Sequence, residues 1–283
     1  MKSLNLAIST CPNDTFIFSA LLSGLVKSEI DLTVVMDDVE QLNHFIVNKK
    51  LQHAPTYILP AGRELVGDVD ISKISYGVVS EILDEYALLP AGGALGFGVG
   101  PLLVAKADTE GLPNGKIAVP GLHTTAFKVF KTFYPALADK CEPVRFDRIM
   151  PLVQEGEYAM GLIIHEGRFT YGNYGLRKVA DMGELWMDRY SSPLPLGAIA
   201  MKRSLASLAP VVNELICQSV QYAWSNPANI MPFVERYSDE MDADVMKSHI
   251  ELYVNKYSVD ATPAVDGIAD FLGVSPESVF FKL

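Results

Sequence analysis

The chain alternates between strand patterns and helix patterns, and two segments rich in glycine or proline interrupt this alternation. Short apolar runs typical of buried strands are followed by segments whose apolar residues recur at helical spacing, which predicts an α/β fold with mixed, parallel-rich sheets. The first interruption is 92–101, where five of the first nine residues are glycine, and the second begins at Pro193. Such a glycine run indicates a turn, a hinge, a β-bulge or a close backbone approach.

The two interruptions predict a two-lobed protein whose middle third is inserted into a domain formed by both ends. One lobe comprises residues 1–100 and 198–283 and has a helical C-terminal part, and the inserted α/β lobe comprises residues 101–197. This layout is typical of hinged proteins with a ligand cleft between the lobes. We expect the hinge at Gly98–Pro101 and Pro195–Gly197, because glycine tolerates the dihedral changes of closure and proline limits where bending occurs.

Composition excludes several classes of protein and partner. The formal net charge is −11, which disfavours nucleic acid and anionic membranes as partners but leaves a local anion site possible. Three cysteines, Cys11, Cys141 and Cys217, lie far apart without a CxxC pair, which argues against a zinc site or a disulfide framework. No apolar run reaches spanning length and no signal pattern follows the first residues, so we expect a cytoplasmic protein without membrane insertion. The oligomeric state stays open.

The segment Ser9–Phe18 places polar residues between two apolar runs. A strand that leads through a polar turn into a helix brings backbone N–H groups and short polar side chains to one point. Open α/β sheets bind ligands at such points, outside the carboxyl ends of their strands. The alternative is that Asn13 or Asp14 only caps a helix that follows a strand.

His165 is the best catalytic candidate on chemical grounds. It follows the apolar run Met160–Ile164 and precedes a glycine, and an imidazole is suited to proton transfer near neutral pH. A structural, hydrogen-bonded histidine is the alternative. No P-loop, GxSxG or HExxH motif is present, so the sequence favours neither a metal site nor an acyl-enzyme mechanism.

Two further segments carry groups that bind anions. Thr124 and Thr125 begin a predicted helix and offer hydroxyl and N–H groups, although a simple helix cap explains them equally well. Lys73, Ile74 and Ser75 end a predicted strand and offer a charge and a hydroxyl for a carboxylate. Each signal is weak when taken alone.

Five segments together resemble the 1,4-dihydroxy-6-naphthoate synthase family of the futalosine route to menaquinone. They occur in the order of the family and cover most of the first two thirds of the chain. The segments are Ser9–Phe18 (STCPNDTFIF), Asp70–Ser75 (DISKIS), Ala94–Lys106 (ALGFGVGPLLVAK), Pro120–Ala126 (PGLHTTA) and Ile163–Tyr171 (IIHEGRFTY). The resemblance implies a type II periplasmic-binding-protein-like fold of two α/β lobes, without export.

The resemblance also implies a reaction and a substrate. Members of the family convert cyclic dehypoxanthinyl futalosine, a small carboxylated molecule, to 1,4-dihydroxy-6-naphthoate and release the sugar carbons without a cofactor. The histidine of the IHE motif, here His165, is the expected proton acceptor. A non-catalytic cytoplasmic binding protein of the same fold is the alternative function.

Substrate-contacting segments of the family correspond to Lys73, Ile74 and Ser75 and to Thr124 and Thr125. We expect Lys73, Ser75, Thr124 and Thr125 to hold the substrate carboxylate.

Four further residues are expected to line the cleft from their places in the motifs, namely Asn13, Asp14, Arg168 and Tyr171. The stretch 51–69 departs from the family, because Pro55, Pro60 and Gly62 break any helix between the second helix and DISKIS.

Overall fold

The computed structural model describes residues 2–65, 67–239 and 242–283. It divides into two compact units: unit 1 is Met1–Leu95 with Gly197–Leu283, and unit 2 is Gly96–Leu196. The predicted division into two independent lobes, the hinge between them and the ligand cleft all remain predictions. Within the described ranges, no helix has both the length and the apolar composition that crossing a bilayer requires.

Eleven strands and twelve α-helices are present in the described residues, with short 3₁₀ turns between several of them. The strands are β1 (Lys2–Ser9), β2 (Ile30–Asp37), β3 (Tyr57–Leu59), β4 (Ile71–Ser75), β5 (Tyr86–Gly96), β6 (Leu102–Lys106), β7 (Ile117–Val119), β8 (Cys141–Pro143), β9 (Met160–Ile163), β10 (Leu176–Asp181) and β11 (Leu194–Lys202). The helices are α1 (Pro12–Leu22), α2 (Val39–Asn48), α3 (Val79–Ile82), α4 (Thr125–Phe133), α5 (Phe146–Glu155), α6 (Gly167–Thr170), α7 (Met182–Tyr190), α8 (Ala209–Ser225), α9 (Pro227–Tyr237), α10 (Ala243–Tyr253), α11 (Lys256–Val259) and α12 (Val265–Leu272).

The sheet of unit 1 has six strands in the order β3-β2-β1-β4-β11-β5. β1 runs parallel to both β2 and β4, whereas β3 pairs antiparallel with β2 and β11 pairs antiparallel with β4. The sheet is therefore mixed, as the sequence predicts. Because β1, β2 and β4 are parallel, their carboxyl ends lie at one edge of the sheet, and the polar residues that follow these strands gather there.

Helix α1 is the central helix of unit 1. Its residues from Pro12 to Leu21 are all buried, and it packs against α8, α9 and α10. A helix covered on all sides has no polar face to present to water, which agrees with the apolar run that follows Asp14. In α8, Val211 and Trp224 are exposed, whereas the apolar residues Leu215, Ile216, Val220 and Ala223 are buried.

The sheet of unit 2 has five strands in the order β10-β6-β9-β7-β8. β7 is parallel to β8 and β9, and β6 is antiparallel to β9 and β10. The carboxyl ends of β7 and β9 consequently meet at one edge, where the loops that lead to α4 and α6 begin. Helix α5 covers one face of this sheet with Ile149, Met150 and Val153.

The structure corrects the prediction for the glycine-rich run. Gly92–Gly96 is not a turn but the second half of the buried strand β5. A close backbone approach, the other expectation, is confirmed: a Cβ atom on Gly92 would lie 2.5 Å from the Ile199 side chain, and φ of Gly92 is +83°. Gly92 therefore allows β5 to lie close to Ile199 of β11 in a conformation that larger residues rarely adopt.

Local sequence patterns do not indicate β3 or α7. β3 lies in the atypical stretch 51–69, where prolines made a strand difficult to recognise, and α7 follows β10 directly. The alternating pattern of 143–146 predicts a strand there, and this prediction is wrong, because β8 ends at Pro143 and α5 begins at Phe146. The alternation Val144-Arg145-Phe146 resembles a strand, but the inward positions of α5 require helical spacing from Phe146 onward.

Candidate functional site

The start of α1 is built around a buried carboxylate. Asp14 has no exposed surface, and its Oδ2 accepts hydrogen bonds from the Ser9 N–H (3.1 Å) and the Ser9 hydroxyl (2.7 Å). Its Oδ1 forms an ion pair with the Lys73 ammonium. All the expected partners of a buried charge are thus supplied by unit 1 itself. Asp14 fixes the turn between β1 and α1, which a sequence pattern alone does not reveal.

Lys73 is committed to the same pair. Its side chain projects from β4, is 7% exposed, and lies 3.5 Å from the carbonyl oxygen of Gly92 in addition to its contact with Asp14. A substrate carboxylate that approaches this place meets a neutral pair rather than a free positive charge. The predicted role of Lys73 as a carboxylate anchor therefore depends on whether its ammonium can serve two carboxylates.

Ser75 is held in place by Asn43, a residue that the sequence analysis did not identify. The Ser75 N–H donates to Asn43 Oδ1 (2.9 Å), and the Asn43 amide donates to the Ser75 hydroxyl oxygen (3.1 Å). Asn43 is completely buried in α2 and also donates to Glu40 (3.0 Å). Ile74 lies between Lys73 and Ser75, so its fully buried side chain points to the opposite face of the strand from theirs.

Two consecutive aspartates lie at the end of β2, at the same edge of the unit 1 sheet: Asp37 is the last residue of the strand and Asp38 follows it. Asp38 caps α2 by accepting the Glu40 N–H (2.9 Å), and burial raises the pKa of its carboxyl to about 6. Asp37 is buried and accepts the N–H groups of Asp38 (2.7 Å) and Thr56 (3.2 Å). The consecutive aspartates at the end of an apolar strand were the signal that could have identified this position.

Cys11 is not a nucleophile in this conformation. Burial, followed by the negative charge of Asp14, raises the pKa of the Cys11 thiol to about 12, so the thiolate is not populated near neutral pH. The neighbouring Thr10 hydroxyl donates to Asp239 (2.5 Å). The thiol and the hydroxyl of this turn therefore have structural roles.

His165 follows β9 at the carboxyl edge of the unit 2 sheet. It is half-buried, and its ring lies edge-on to the ring of Phe146, with 5.2 Å between the centroids. Its φ angle is +52°, a left-handed conformation that is uncommon for residues other than glycine. Such a conformation is costly and is found preferentially at functional sites. The strand-end position that the sequence predicts for His165 is therefore the position it has in unit 2.

Thr124 and Thr125 occupy the loop after β7, at the same edge as His165. Thr124 is the N-cap of α4, since its hydroxyl oxygen accepts the Phe127 N–H (3.2 Å) while its proton goes to the Gly121 carbonyl (2.7 Å). The Thr125 hydroxyl donates to the Leu196 carbonyl (2.8 Å). Both interpretations of Thr124 and Thr125 are therefore compatible with the structure. Thr124 is a helix cap, and the first turn that it orders is a favourable place for an anion.

Arg168 is engaged within unit 2. Its guanidinium pairs with Asp181, the N-cap of α7, and contacts the Gly100 carbonyl (3.3 Å). Burial raises the pKa of Asp181 even though Arg168 and the Gly183 N–H oppose that shift. Sequence reasoning placed Arg168 in the cleft but missed its partner. Tyr171 packs against the apolar core of unit 2.

Each unit therefore assembles part of the predicted set at one sheet edge. In unit 1 the gathered residues are Asn13, Asp14, Lys73 and Ser75, and in unit 2 they are Thr124, Thr125 and His165. The parallel pairing of β1 with β4 and of β7 with β9 causes both groupings. Ile74 and Tyr171 instead contribute side chains to the apolar interior.

Comparison of folds places this architecture in a known class. Protein AF1704 from Archaeoglobus fulgidus is similar with a TM-score of 0.82 and 30% identity, covering 96% of this chain and 95% of that chain. The Candida albicans CA3427 gene product, described as having the generic periplasmic-binding-protein fold, is similar with a TM-score of 0.66 and 12% identity, covering 96% and 90%. The chain thus has a periplasmic-binding-protein-like α/β fold, as predicted.

Sequence comparison identifies the family within that class. The sequence model of the menaquinone biosynthesis family matches residues 4–58 and 61–277, so the chain belongs to this family. A protein of Thermus thermophilus named 1,4-dihydroxy-6-naphthoate synthase is 40% identical over 261 residues, covering 92% of this chain and 89% of the relative. A Streptomyces coelicolor protein of the same name is 39% identical over 279 residues, covering 96% and 91%.

Proposed function

We propose that the protein is a lyase that converts cyclic dehypoxanthinyl futalosine to 1,4-dihydroxy-6-naphthoate and releases the sugar-derived fragment. One observation carries this proposal: two relatives with that synthase name are 40% and 39% identical over almost the whole chain. The substrate is then a small carboxylated molecule. A biosynthetic reaction of this kind belongs in the cytoplasm, which is also where we place the protein.

His165 is the general base in this proposal. Proton removal from the substrate starts the cleavage of carbon–carbon and carbon–oxygen bonds, and aromatisation of the new ring supplies the driving force. An imidazole that is half-buried at a strand end keeps part of its surface accessible to a substrate, and imidazole is a common general base. The left-handed backbone of His165, with φ of +52°, supports a functional reason for this residue at this position.

The substrate carboxylate is proposed to bind at the first turn of α4. The N-terminus of a helix attracts negative charge, and the cap supplied by Thr124 keeps the turn ordered. Thr125 is part of that turn, and its hydroxyl bond to Leu196 fixes its orientation.

In unit 1, Lys73, Ile74 and Ser75 remain proposed substrate contacts. Asp14 and Asn43 hold Lys73 and Ser75 in place, and Ile74 would take part through its backbone, since its side chain lies in the apolar interior.

The reaction is proposed to need no cofactor, because one base, one anchor for the carboxylate and exclusion of water are sufficient for proton removal followed by elimination. The purified protein is mixed with cyclic dehypoxanthinyl futalosine in the presence of a metal chelator, and product is measured by mass spectrometry. We expect 1,4-dihydroxy-6-naphthoate to accumulate beyond one equivalent. Binding without release of product would instead indicate a binding protein.

Two substitutions of His165 distinguish the contribution of the imidazole base from that of the left-handed backbone conformation. Asparagine tolerates the left-handed region better than alanine, so H165N removes the base while keeping the turn, and H165A removes both. We expect both variants to lose roughly 100-fold or more in kcat with much smaller changes in KM. H53A, at an exposed histidine of unit 1, serves as the control and should keep wild-type turnover. Near-wild-type turnover by H165N would exclude His165 as the base.

A further inference from the structure

Asn13 carries an unpaired polar atom in a buried place. Its side-chain carbonyl oxygen, Oδ1, is buried and has no hydrogen-bond partner among the described residues, and Asn13 as a whole is 7% exposed. Buried side-chain polar atoms are nearly always paired in folded proteins, and those without a partner call for an explanation. The position of Asn13 supplies one, because it lies in the first turn of α1 at the carboxyl edge of the unit 1 sheet.

The other polar side chains of this turn already have partners. The Ser9 hydroxyl donates to Asp14, the Thr10 hydroxyl donates to Asp239, and Asp14 pairs with Lys73. The unpaired atom of Asn13 is therefore not the consequence of a generally loose turn.

The helix itself also lacks a cap at this end. The N-cap residue of α1 is Cys11, whose side chain makes no capping hydrogen bond, and Pro12 follows it. Backbone N–H groups of the first turn have no acceptor within their own helix, and this applies to Asn13. Asn13 thus presents a donor, its N–H, and an acceptor, its Oδ1, in the same turn.

A hydroxyl group is the chemical partner that fits this combination, because it accepts one hydrogen bond and donates another. We propose that Asn13 and the uncapped first turn of α1 bind a hydroxyl of the sugar-derived part of the substrate, which acts as the missing cap. This assignment rests on the proposed function and specifies which part of the substrate unit 1 recognises. Oδ1 is covered in this conformation, so the hydroxyl reaches it after a small rearrangement of the side chains around the turn.

A carboxylate fits this place less well. It has no proton to donate to Oδ1, and the neighbouring carboxylate of Asp14 already uses the nearby charge of Lys73. A carboxylate bound here would accept from the N–H groups of the turn and from the side-chain amide nitrogen of Asn13, and a negative charge at position 13 would repel it. N13D keeps an acceptor of the same shape and introduces a negative charge. It should therefore preserve the binding of a hydroxyl and weaken the binding of a carboxylate.

The test combines substitutions of Asn13 with analogues of cyclic dehypoxanthinyl futalosine that each lack one hydroxyl of the sugar-derived ring. For N13L we expect KM for the full substrate to rise about tenfold, the effect of losing one hydrogen bond, with no further loss for the analogue that lacks the bound hydroxyl. N13D should stay within a few-fold of wild type, since aspartate is favourable at a helix N-terminus. A larger loss for N13D than for N13L would point to a carboxylate and overturn the assignment.

Asn229 provides a matched control. It lies in the first turn of α9, which also begins with a proline, Pro227, but it is exposed. N229L and N229D should leave KM unchanged for every analogue. Equal losses for the full substrate and for all analogues in N13L would show that the substitution acts through folding and would overturn the assignment.

A crystal soak with D-ribose tests the same chemistry without turnover. We expect a ribose hydroxyl oxygen about 3 Å from Asn13 Oδ1. An ordered water at that place, retained at high ribose concentration, would mean that Oδ1 is satisfied by solvent and that the hydroxyl assignment is wrong. The proposed function is judged separately, by product formation in the wild-type protein.

Discussion

The buried pair of Asp14 and Lys73 should stabilise unit 1 only while both partners are present. Their side chains are 0% and 7% exposed, so removing one partner leaves a charge with little access to water. Breaking such a pair costs about 3–5 kcal/mol, whereas replacing both charges is often close to neutral. We therefore expect D14N and K73M each to lower the free energy of unfolding by about 3 kcal/mol or more.

The double variant D14N/K73M should lose much less than the sum of the two. An asparagine at position 14 still offers an oxygen to Ser9, and a methionine at position 73 fills the volume of the lysine stem without a charge. We expect the double variant to lie within about 2 kcal/mol of wild type. The coupling energy of the cycle is then several kcal/mol, far above the values found for exposed pairs.

Urea unfolding followed by tryptophan fluorescence isolates unit 1. The chain has two tryptophans, and Trp224 lies in α8 of unit 1 while Trp186 lies in α7 of unit 2. In a W186F background the fluorescence reports on Trp224. The exposed pair of Lys247 and Glu251 is the control cycle and should couple by less than about 0.5 kcal/mol. If the losses of unfolding free energy from D14N and K73M are additive in the double variant, Asp14 and Lys73 are not energetically coupled and the prediction is wrong.

Two further predictions concern stability. The pKa of Asp38 is raised from 3.8 to about 6 in the folded protein, so the folded state binds more protons than the unfolded state between these values, and stability falls as pH rises through this window by up to about 3 kcal/mol. D38N keeps the helix cap and removes this dependence on pH. In urea unfolding at pH 4 and pH 7.5, we expect D38N to be more stable than wild type only at the higher pH. If the free energy of unfolding changes equally with pH in both proteins, this explanation is wrong. S219A should lower the free energy of unfolding by about 1–3 kcal/mol, because the Ser219 hydroxyl donates to the Ile17 carbonyl (2.6 Å) and accepts the Leu21 N–H (3.2 Å). An unchanged urea midpoint would show that these two hydrogen bonds do not contribute to stability.

The sequence predicts the elements whose periodicity is strong and misses those whose signal is weak. The apolar residues of the buried strands β1 and β4 and of the helices α2 and α8 repeat at one spacing, so the sequence indicates where these elements lie. β3 has three residues and is followed directly by Pro60, and α7 contains a glycine, so neither has a long periodic pattern. Local patterns do not encode the pairing that stabilises such short elements.

At the candidate site, too, the positions that follow from local patterns can be predicted, whereas pairings between distant residues cannot. The positions of His165 and Thr124 at strand ends follow from the alternation of strands and helices, and the motifs support them. The partnership of Asp14 with Lys73 spans 59 positions of the chain, and nothing local to either residue announces it. Similarly, Arg168 is recognisable as a motif residue, but its pairing with Asp181 depends on how α6 lies beside α7.

These internal pairs determine how losses of activity should be interpreted. Asp14, Lys73 and Arg168 carry the charges that a substrate carboxylate or its transition state would be expected to use, yet each is already engaged within its own unit. A substitution at any of them removes a buried partner, so lost activity accompanied by lost stability indicates a positioning role. His165 and Asn13 differ from them, because His165 is half-buried at a strand end and Asn13 has an unpaired acceptor. Lost turnover at His165 or weakened binding at Asn13, with unchanged stability, would therefore identify direct contact with the substrate.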